Sequence, residues 1–362
     1  MNNKIIPTLL GIVLIISFVS GCFSTNKQIT YISHATKISY QITYGYSINC
    51  SGEGKIKINY DCNKPDLLKG ETQIVKYLND EYSIKTIATY NDVLSWNITS
   101  NSCKDYRLGL TADILAESFI VSDLNGENAL NINEIKVMHP DLISQYCNIQ
   151  SNETVKFIDP TNSKITNLAQ ELYEKAESDN AFTVSKEIFK WLKKSTTYKT
   201  HTYSNNVQTA LYTLEKCTGD CDDLSYLFIS LCRSVNIPSR LIRGFLVEEN
   251  STIPHAWVEV FVGGDIRNNG WIPVECAGTA IGYNKIQTEI HQNFGLESAN
   301  HLRLFIDDGS NESLFESQKG ISYLADSSLL IEPPGSILKV NNYNELESYE
   351  LHVDENNIRS YR

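Results

Sequence analysis

The segment Thr218-Gly-Asp-Cys-Asp-Asp-Leu-Ser-Tyr-Leu-Phe-Ile-Ser-Leu-Cys232 places a cysteine on a glycine turn directly ahead of an amphipathic helix. Asp220 is a good helix N-cap, and Asp223, three positions later, gives a capping-box pattern with Asp where Glu or Gln is usual. Cys221 is then the first helical residue. Leu224, Leu227, Phe228, Leu231 and Val235 recur at helical spacing, so one face of this helix is core. Ile237-Pro238 ends it, because the residue before a proline is pushed out of the helical region.

The first-turn amides of a helix lack intrahelical partners and carry the positive end of its dipole, which favours a thiolate at Cys221. The amide of Cys221 is also available to the oxygen of a tetrahedral intermediate. Asp220, Asp222 and Asp223 act in the opposite sense, since neighbouring carboxylates raise a thiol pKa. A nucleophile at this position therefore needs an imidazolium partner.

The run His255-Ala-Trp-Val-Glu-Val-Phe-Val262 alternates as a strand does, with His255, Trp257, Glu259 and Phe261 on one face. Gly263-Gly264 and Asn268-Asn269-Gly270 supply turn residues, and Trp271-Ile-Pro-Val-Glu-Cys276 reads as the return strand of a hairpin. A loop centred near Asp265 puts Glu275 opposite His255, on the same face, where its carboxylate can hold one imidazole nitrogen. Three other histidines, His201, His291 and His301, compete as bases but lack a comparable strand context. The structural alternatives are a buried or disulfide-bonded Cys221, a rim His255 and a surface Glu275. A zinc site from Cys217, Cys221 and His255 is disfavoured, because no second Cys or His pair stands at finger spacing. Neither a metal nor a cofactor is expected.

Gly219-Asp-Cys-Asp-Asp, then Arg233-Ser-Val-Asn-Ile-Pro-Ser-Arg240-Leu-Ile-Arg-Gly-Phe, then His255-Ala-Trp, then Trp271-Ile-Pro-Val-Glu resembles the transglutaminase-like superfamily over roughly residues 158–312. The resemblance implies a papain-like cysteine fold and a Cys-His-Asp triad that maps onto Cys221, His255 and Glu275. The third position departs from the pattern, since Glu is one methylene longer than Asp. Many superfamily members hydrolyse amides rather than cross-link glutamine to lysine, so the resemblance implies acyl transfer without fixing the acceptor.

At the N-terminus, Lys4 is followed by an apolar run from Ile5 to Val19 that is short for a membrane span, and then by Val19-Ser-Gly-Cys22. This pattern resembles the leader and lipobox of prokaryotic lipoproteins, which implies cleavage before Cys22 and lipid attachment to its sulfur. An uncleaved anchor gives the same topology, with the body outside the membrane. The other eight cysteines suit an oxidising exterior. Among them Cys221 should be free and Cys232 buried and reduced. Six remain for three bridges in any of fifteen connectivities; Cys50–Cys62 is the expected local pair, and Cys217–Cys276 would tie the nucleophile turn to the Glu275 strand. Sequons at Asn49, Asn97, Asn152, Asn250 and Asn311 arise readily in so asparagine-rich a chain and decide nothing. A net charge of −12 with no basic stripe excludes nucleic acid as a partner.

The expected organisation has a leader at 1–22, a β-sandwich accessory domain at 23–150, the catalytic domain at 158–312 and a strand-containing C-terminal extension at 313–362. The sandwich rests on the runs Ile38–Tyr46, Gly54–Tyr60, Tyr82–Tyr90, Val93–Thr99 and Tyr106–Ala112, rich in Ile, Tyr, Val and Thr. The segment Asn91-Asp-Val-Leu-Ser-Trp96-Asn-Ile also resembles the accessory β-domain that often precedes a transglutaminase-like core. Asp123 to Glu134 sets oxygen side chains at EF-hand-like spacing, but Asn128 stands where such a loop needs glycine and a strand-like run precedes it, so a tight Asn-Gly turn is the preferred reading. Helical patterns at Leu168, Leu172 and Ala176, at Ile188, Trp191, Leu192 and Ser195, and over Val207–Lys216 fit the helical part of a papain-like core. Asp307–Lys319 reads as loop; Ser328–Ile331 and Ser336–Val340 read as strands. No internal repeat or heptad is present.

The fold class is thus α+β, a papain-like core behind an N-terminal β-sandwich. The function the resemblance implies is that of a surface-anchored cysteine acyl-transfer enzyme, held to the membrane by its N-terminal lipid and expected to hydrolyse peptide or isopeptide bonds of a peptide or cell-envelope amide substrate. Trp257, on the His255 face, either walls the cleft or belongs to the core. The rival reading is a non-catalytic surface protein whose β-sandwich binds a wall polymer or a partner.

Overall fold

The computed structural model describes residues 28–65, 70–148, 155–200, 207–266, 269–278 and 284–362. The leader, Cys22 and His201 lie outside these residues. The N-terminal part is built from β1 (Ile29–Ile48), β2 (Glu53–Asn63), β3 (Gly70–Tyr77), β4 (Ser83–Ala88), β5 (Asn91–Ser102) and β6 (Tyr106–Glu117). Period-two patterning forms these strands: Ile38, Tyr40, Ile42 and Tyr44 of β1 and Ile56, Ile58 and Tyr60 of β2 are all buried. They share one core with Trp96, Leu108 and Leu110. The five strand-like runs read from the sequence fall in or around β1, β2, β4, β5 and β6.

Next come α1 (Ile132–Met138), α2 (Ser163–Lys175), α3 (Ala181–Ser195), α4 (Ala210–Lys216) and α5 (Cys221–Ser234). Helix α5 is buried on nearly every side, touching α2, α3, α4 and the sheet that follows. That sheet comprises β7 (Ser239–Glu248), β8 (Ser251–Phe261), β9 (Trp271–Val274) and, after α6 (Lys285–Asn293), β10 (His301–Ile306), in the antiparallel order β9-β8-β7-β10. Leu241, Ala256, Val258, Val260 and Ile272 join the core that contains α5. Leu302 and Leu304 of β10 join the sandwich core instead. The sheet is therefore covered on both faces, and the Asn91 side chain locks the two parts together through the Ile306 carbonyl and amide at 2.6 and 2.8 Å.

The polar segment 307–319, expected as a loop, contains the short helix α7 (Asn311–Glu316). Ser310 caps it by accepting from the Ser313 amide at 3.1 Å, a local hydrogen bond that apolar periodicity does not reveal. The chain then forms β11 (Ser322–Ala325), β12 (Gly335–Val353) and β13 (Arg359–Tyr361). The residues expected as a C-terminal extension thus supply strands to both sandwich sheets, whose orders are β11-β2-β5-β4 and β13-β12-β1-β6-β3. The Arg359 guanidinium fastens the end of the chain to the carbonyls of Val121, His291 and Gly295.

The disulfide joins Cys50 to Cys103, with Cα atoms 5.6 Å apart, and not to Cys62. Strand β2 carries Cys62 roughly 30 Å along its length from Glu53 and turns its thiol into the sandwich core. The expected Cys217–Cys276 pair is not formed either. Cys217 is exposed at the left-handed C-cap of α4, Cys276 is buried, and both are free. Cys232 is buried and free, as expected. At the EF-hand-like segment, Asp123 accepts from the amides of Asn125 and Glu127, Gly126 turns with φ +76°, and Glu134 accepts from the Asn131 amide to cap α1. Both end carboxylates of the segment are thereby bonded to backbone.

Candidate active site

The turn before α5 is built by reciprocal capping. The Asp220 amide donates to Asp223 at 3.1 Å, the Asp223 amide donates back to Asp220, and the Gln208 backbone and side-chain amides also donate to the fully buried Asp223. Any side chain on Gly219 would meet the Asp223 Cβ at 2.6 Å, so the turn needs glycine for space. Cys221 is the first residue of the helix, as its sequence implied. Its thiol receives a hydrogen bond from the backbone amide of Ala256, the neighbour of His255.

The helix end favours a thiolate at Cys221 and the aspartates oppose it, and burial decides the balance. Burial, then the charges of Asp222 and Asp220, outweigh the Ala256 amide and push the Cys221 thiol up to about 12. The resting nucleophile is a protonated thiol, so attack requires a base to remove its proton. Arg243 stands over this corner, pairing with Asp222 at 3.4 Å and bonding Tyr226 and Ser317.

His255 lies on β8 with Trp257 and Glu259, on the face read from the sequence. The hairpin register is two residues away from the expected one: Val258 pairs with Val274 and Phe261 with Trp271, and β9 ends before Glu275. A shift of two residues preserves the face. Glu275 therefore still reaches His255, and its Oε2 lies 2.6 Å from Nε2. Its other oxygen accepts from the amides of Ala277 and Gly278 at 2.8 and 3.2 Å, which fixes the carboxylate. With Nε2 committed to Glu275, Nδ1 is the ring nitrogen left to serve as a base.

Of the competing histidines, His291 is remote. It bonds Tyr31 and Gln287, and burial followed by the Arg359 charge lowers its pKa to about 4. His301 does reach the site. It heads β10, and its Nε2 lies 3.3 Å from the same Glu275 oxygen that holds His255. The alternation of His301-Leu-Arg-Leu-Phe305 signals a strand, but its neighbourhood depends on β10 pairing with β7, which no sequence pattern announces. Gly244 makes room there: a Cβ on it would lie 1.7 Å from the Leu302 carbonyl oxygen. Trp257 is 1 % exposed, so it backs the His255 ring at a 5.9 Å centroid distance rather than walling an open cleft. Trp191 is half-buried against the helical core.

Burial pulls the His255 pKa down, but the charge and hydrogen bond of Glu275 overcome this and leave it raised above 6.5. Burial alone would raise Glu275; the His255 and His301 contacts reverse that and hold it well below 4.5. The stabilising contribution of His255 is therefore full below about pH 6.5 and lost as the pH rises through its folded value. That of Glu275 is full above about pH 4.5 and lost as the pH falls. A reaction that uses neutral His255 as base should gain rate as the pH rises through the elevated His255 pKa. Glu275→Gln removes the charge that elevates it, so the rising limb of the rate profile should move to lower pH while the plateau falls about 10²- to 10⁴-fold. Stopped-flow acylation between pH 5 and 9 measures both effects.

Residues 166–276 match the transglutaminase-like superfamily, so the chain carries a domain of this superfamily, which includes cysteine proteases and acyltransferases. A crystal structure of a candidate cysteine protease from Cytophaga hutchinsonii superposes with a TM-score of 0.53 at 12% identity, covering 92% of this chain and 100% of that one. That likeness extends to the fold, sandwich included. The periplasmic domain of TgpA from Pseudomonas aeruginosa gives a TM-score of 0.33 at 11% identity, covering 68% of this chain and 94% of that one. No curated protein matches the sequence.

Proposed function

We propose that the protein is an exported, surface-anchored cysteine acyl-transfer enzyme that hydrolyses peptide or isopeptide amide bonds through Cys221, His255 and Glu275. The observation that carries this reading is the 2.6 Å Glu275–His255 contact beside a thiol that touches the Ala256 amide. His255 takes the Cys221 proton at Nδ1 as sulfur attacks the amide carbonyl carbon. The Cys221 backbone amide donates to the developing oxyanion. The imidazolium, stabilised by Glu275, then gives its proton to the leaving amine, and a thioester remains on Cys221. Water activated by His255 releases the acid. The lipobox-like leader and the Cys50–Cys103 bridge both support an oxidising compartment outside the membrane.

The test uses p-nitrophenyl acetate as a generic acyl donor. Mixing should release a burst of close to one p-nitrophenolate per chain, with the acetyl group mapped to Cys221 by mass spectrometry. A missing burst, or acetylation spread over surface lysines, would reduce the core to a scaffold and leave the β-sandwich as the functional part.

A further inference from the structure

Two imidazoles converge on one carboxylate oxygen in this site. The Nε2 atoms of His255 and His301 lie 2.6 and 3.3 Å from Oε2 of Glu275, and the three ligand atoms are within 4.8 Å of one another. His301 is oriented from behind by Ser298, whose Oγ lies 2.9 Å from its Nδ1. The Ser298 hydroxyl gives its single proton to Asn300 at 2.5 Å, so its oxygen accepts from Nδ1–H of His301. With Nδ1–H bonded to Ser298, the Nε2 atom of His301 is directed at the carboxylate oxygen and can ligate an ion there. The pair is enclosed among buried side chains, with Trp257 packed edge to face on the His301 ring at 4.8 Å. A cation there can take the place of a proton on Nε2.

We propose that His255, Glu275 and His301 form a site for a late first-row divalent cation of the zinc type. Two imidazole nitrogens and one carboxylate oxygen suit such an ion, leaving a further position for water. Ser298 on Nδ1 of His301, and the Ala277 and Gly278 amides on Glu275, are the outer-shell partners that orient metal ligands. Only His255 is shared with the disfavoured set Cys217, Cys221 and His255.

The consequence for catalysis rests on the function proposed above. Without metal, the Nε2 proton of His255 is donated to Glu275, and the Nδ1 lone pair is free to accept the thiol proton. A metal on Nε2 occupies the lone pair of that nitrogen and leaves the ring proton on Nδ1, so His255 has no site for the proton of Cys221. The metal acts as a reversible brake.

Titration of the metal-free full chain with ZnCl₂ in a calorimeter should show one ion bound per chain. Cys221→Ser should bind equally well, His301→Gln at least about tenfold more weakly, and Ser298→Ala more weakly by a smaller factor. Ser298→Ala keeps the test decisive should His301→Gln fail to fold. Cobalt(II) in the same site should give visible d–d bands and no near-ultraviolet thiolate charge-transfer band. Absence of stoichiometric binding, binding unaffected by both His301→Gln and Ser298→Ala, or loss of binding in Cys221→Ser would overturn the proposal. The p-nitrophenolate burst of the metal-free protein is scored separately. A burst without zinc binding removes only the metal site, and zinc binding without a burst removes only the catalytic reading.

Discussion

Cys221→Ser should abolish the acylation burst, with a fall in rate on the order of 10⁶-fold, the scale on which a catalytic unit fails when its nucleophile is removed. The folded protein should scarcely register the change. Asp220, not Cys221, caps α5, and serine is well tolerated at the start of a helix, so the melting temperature should stay within a few degrees of wild type. His255→Ala should lower the rate on a similar scale, and the double variant should lose little more, because thiol and imidazole act as one unit. Among the described residues the free cysteines Cys62, Cys147, Cys232 and Cys276 are buried and Cys217 is exposed, so Cys217 is the thiol that could mimic the result. A burst retained in Cys221→Ser and lost in Cys217→Ser would assign the chemistry to the wrong cysteine and end the proposal.

The largest loss of stability is expected from Arg303→Met. Its guanidinium is buried beneath the site and pairs with Glu259 at 2.7 Å and Glu297 at 2.5 Å. Arg240 completes the network by pairing with Glu259 at 2.6 Å while stacking over Trp271 at 4.1 Å. Two arginines thus balance two glutamates in a space without water-like screening. Burial alone would raise the Glu259 pKa, but the charges of Arg303 and then Arg240 hold it below its usual range. Removing Arg303 leaves a net buried negative charge, a defect that costs about 3–5 kcal/mol. The melting temperature should fall by on the order of 10 °C. Because Glu297 also accepts from the Trp257 indole at 3.2 Å, and Trp257 backs His255, the variant should lose activity before it unfolds. Adding Glu297→Gln should recover part of the loss by removing the stranded charge. Scanning calorimetry of the three proteins decides the matter, and an Arg303→Met protein as stable as wild type would refute the electrostatic account.

How much of this was legible beforehand differs from part to part. The Cys221 turn could be read because a glycine, an N-cap aspartate and an apolar stripe at helical spacing lie within one segment. His255 and Glu275 could be assigned to each other because a hairpin is local, and even a register error of two residues left both on one face. His301 stands in the sequence only as one of three competing bases, because its contact with Glu275 needs β10 to pair with β7 across a long connection. The balance that sets the thiol pKa is not legible in the sequence for a related reason. Helix position argues for a thiolate, but burial of Cys221 is a property of everything packed around it.

The sequence alone determined what short-range physics controls: the strands of the sandwich, the helices of the core, the nucleophile turn and the face shared by His255 and Glu275. Tertiary structure decided the rest. It brought β12 alongside β1 so that the last residues complete the first sheet, drew Cys50 to Cys103, sank four charges beneath the site and set His301 against Glu275. Capping, turn chemistry and side-chain period act over a few residues and are written in their order. Burial and long-range pairing depend on which distant segments exclude water together, and only the folded chain specifies that.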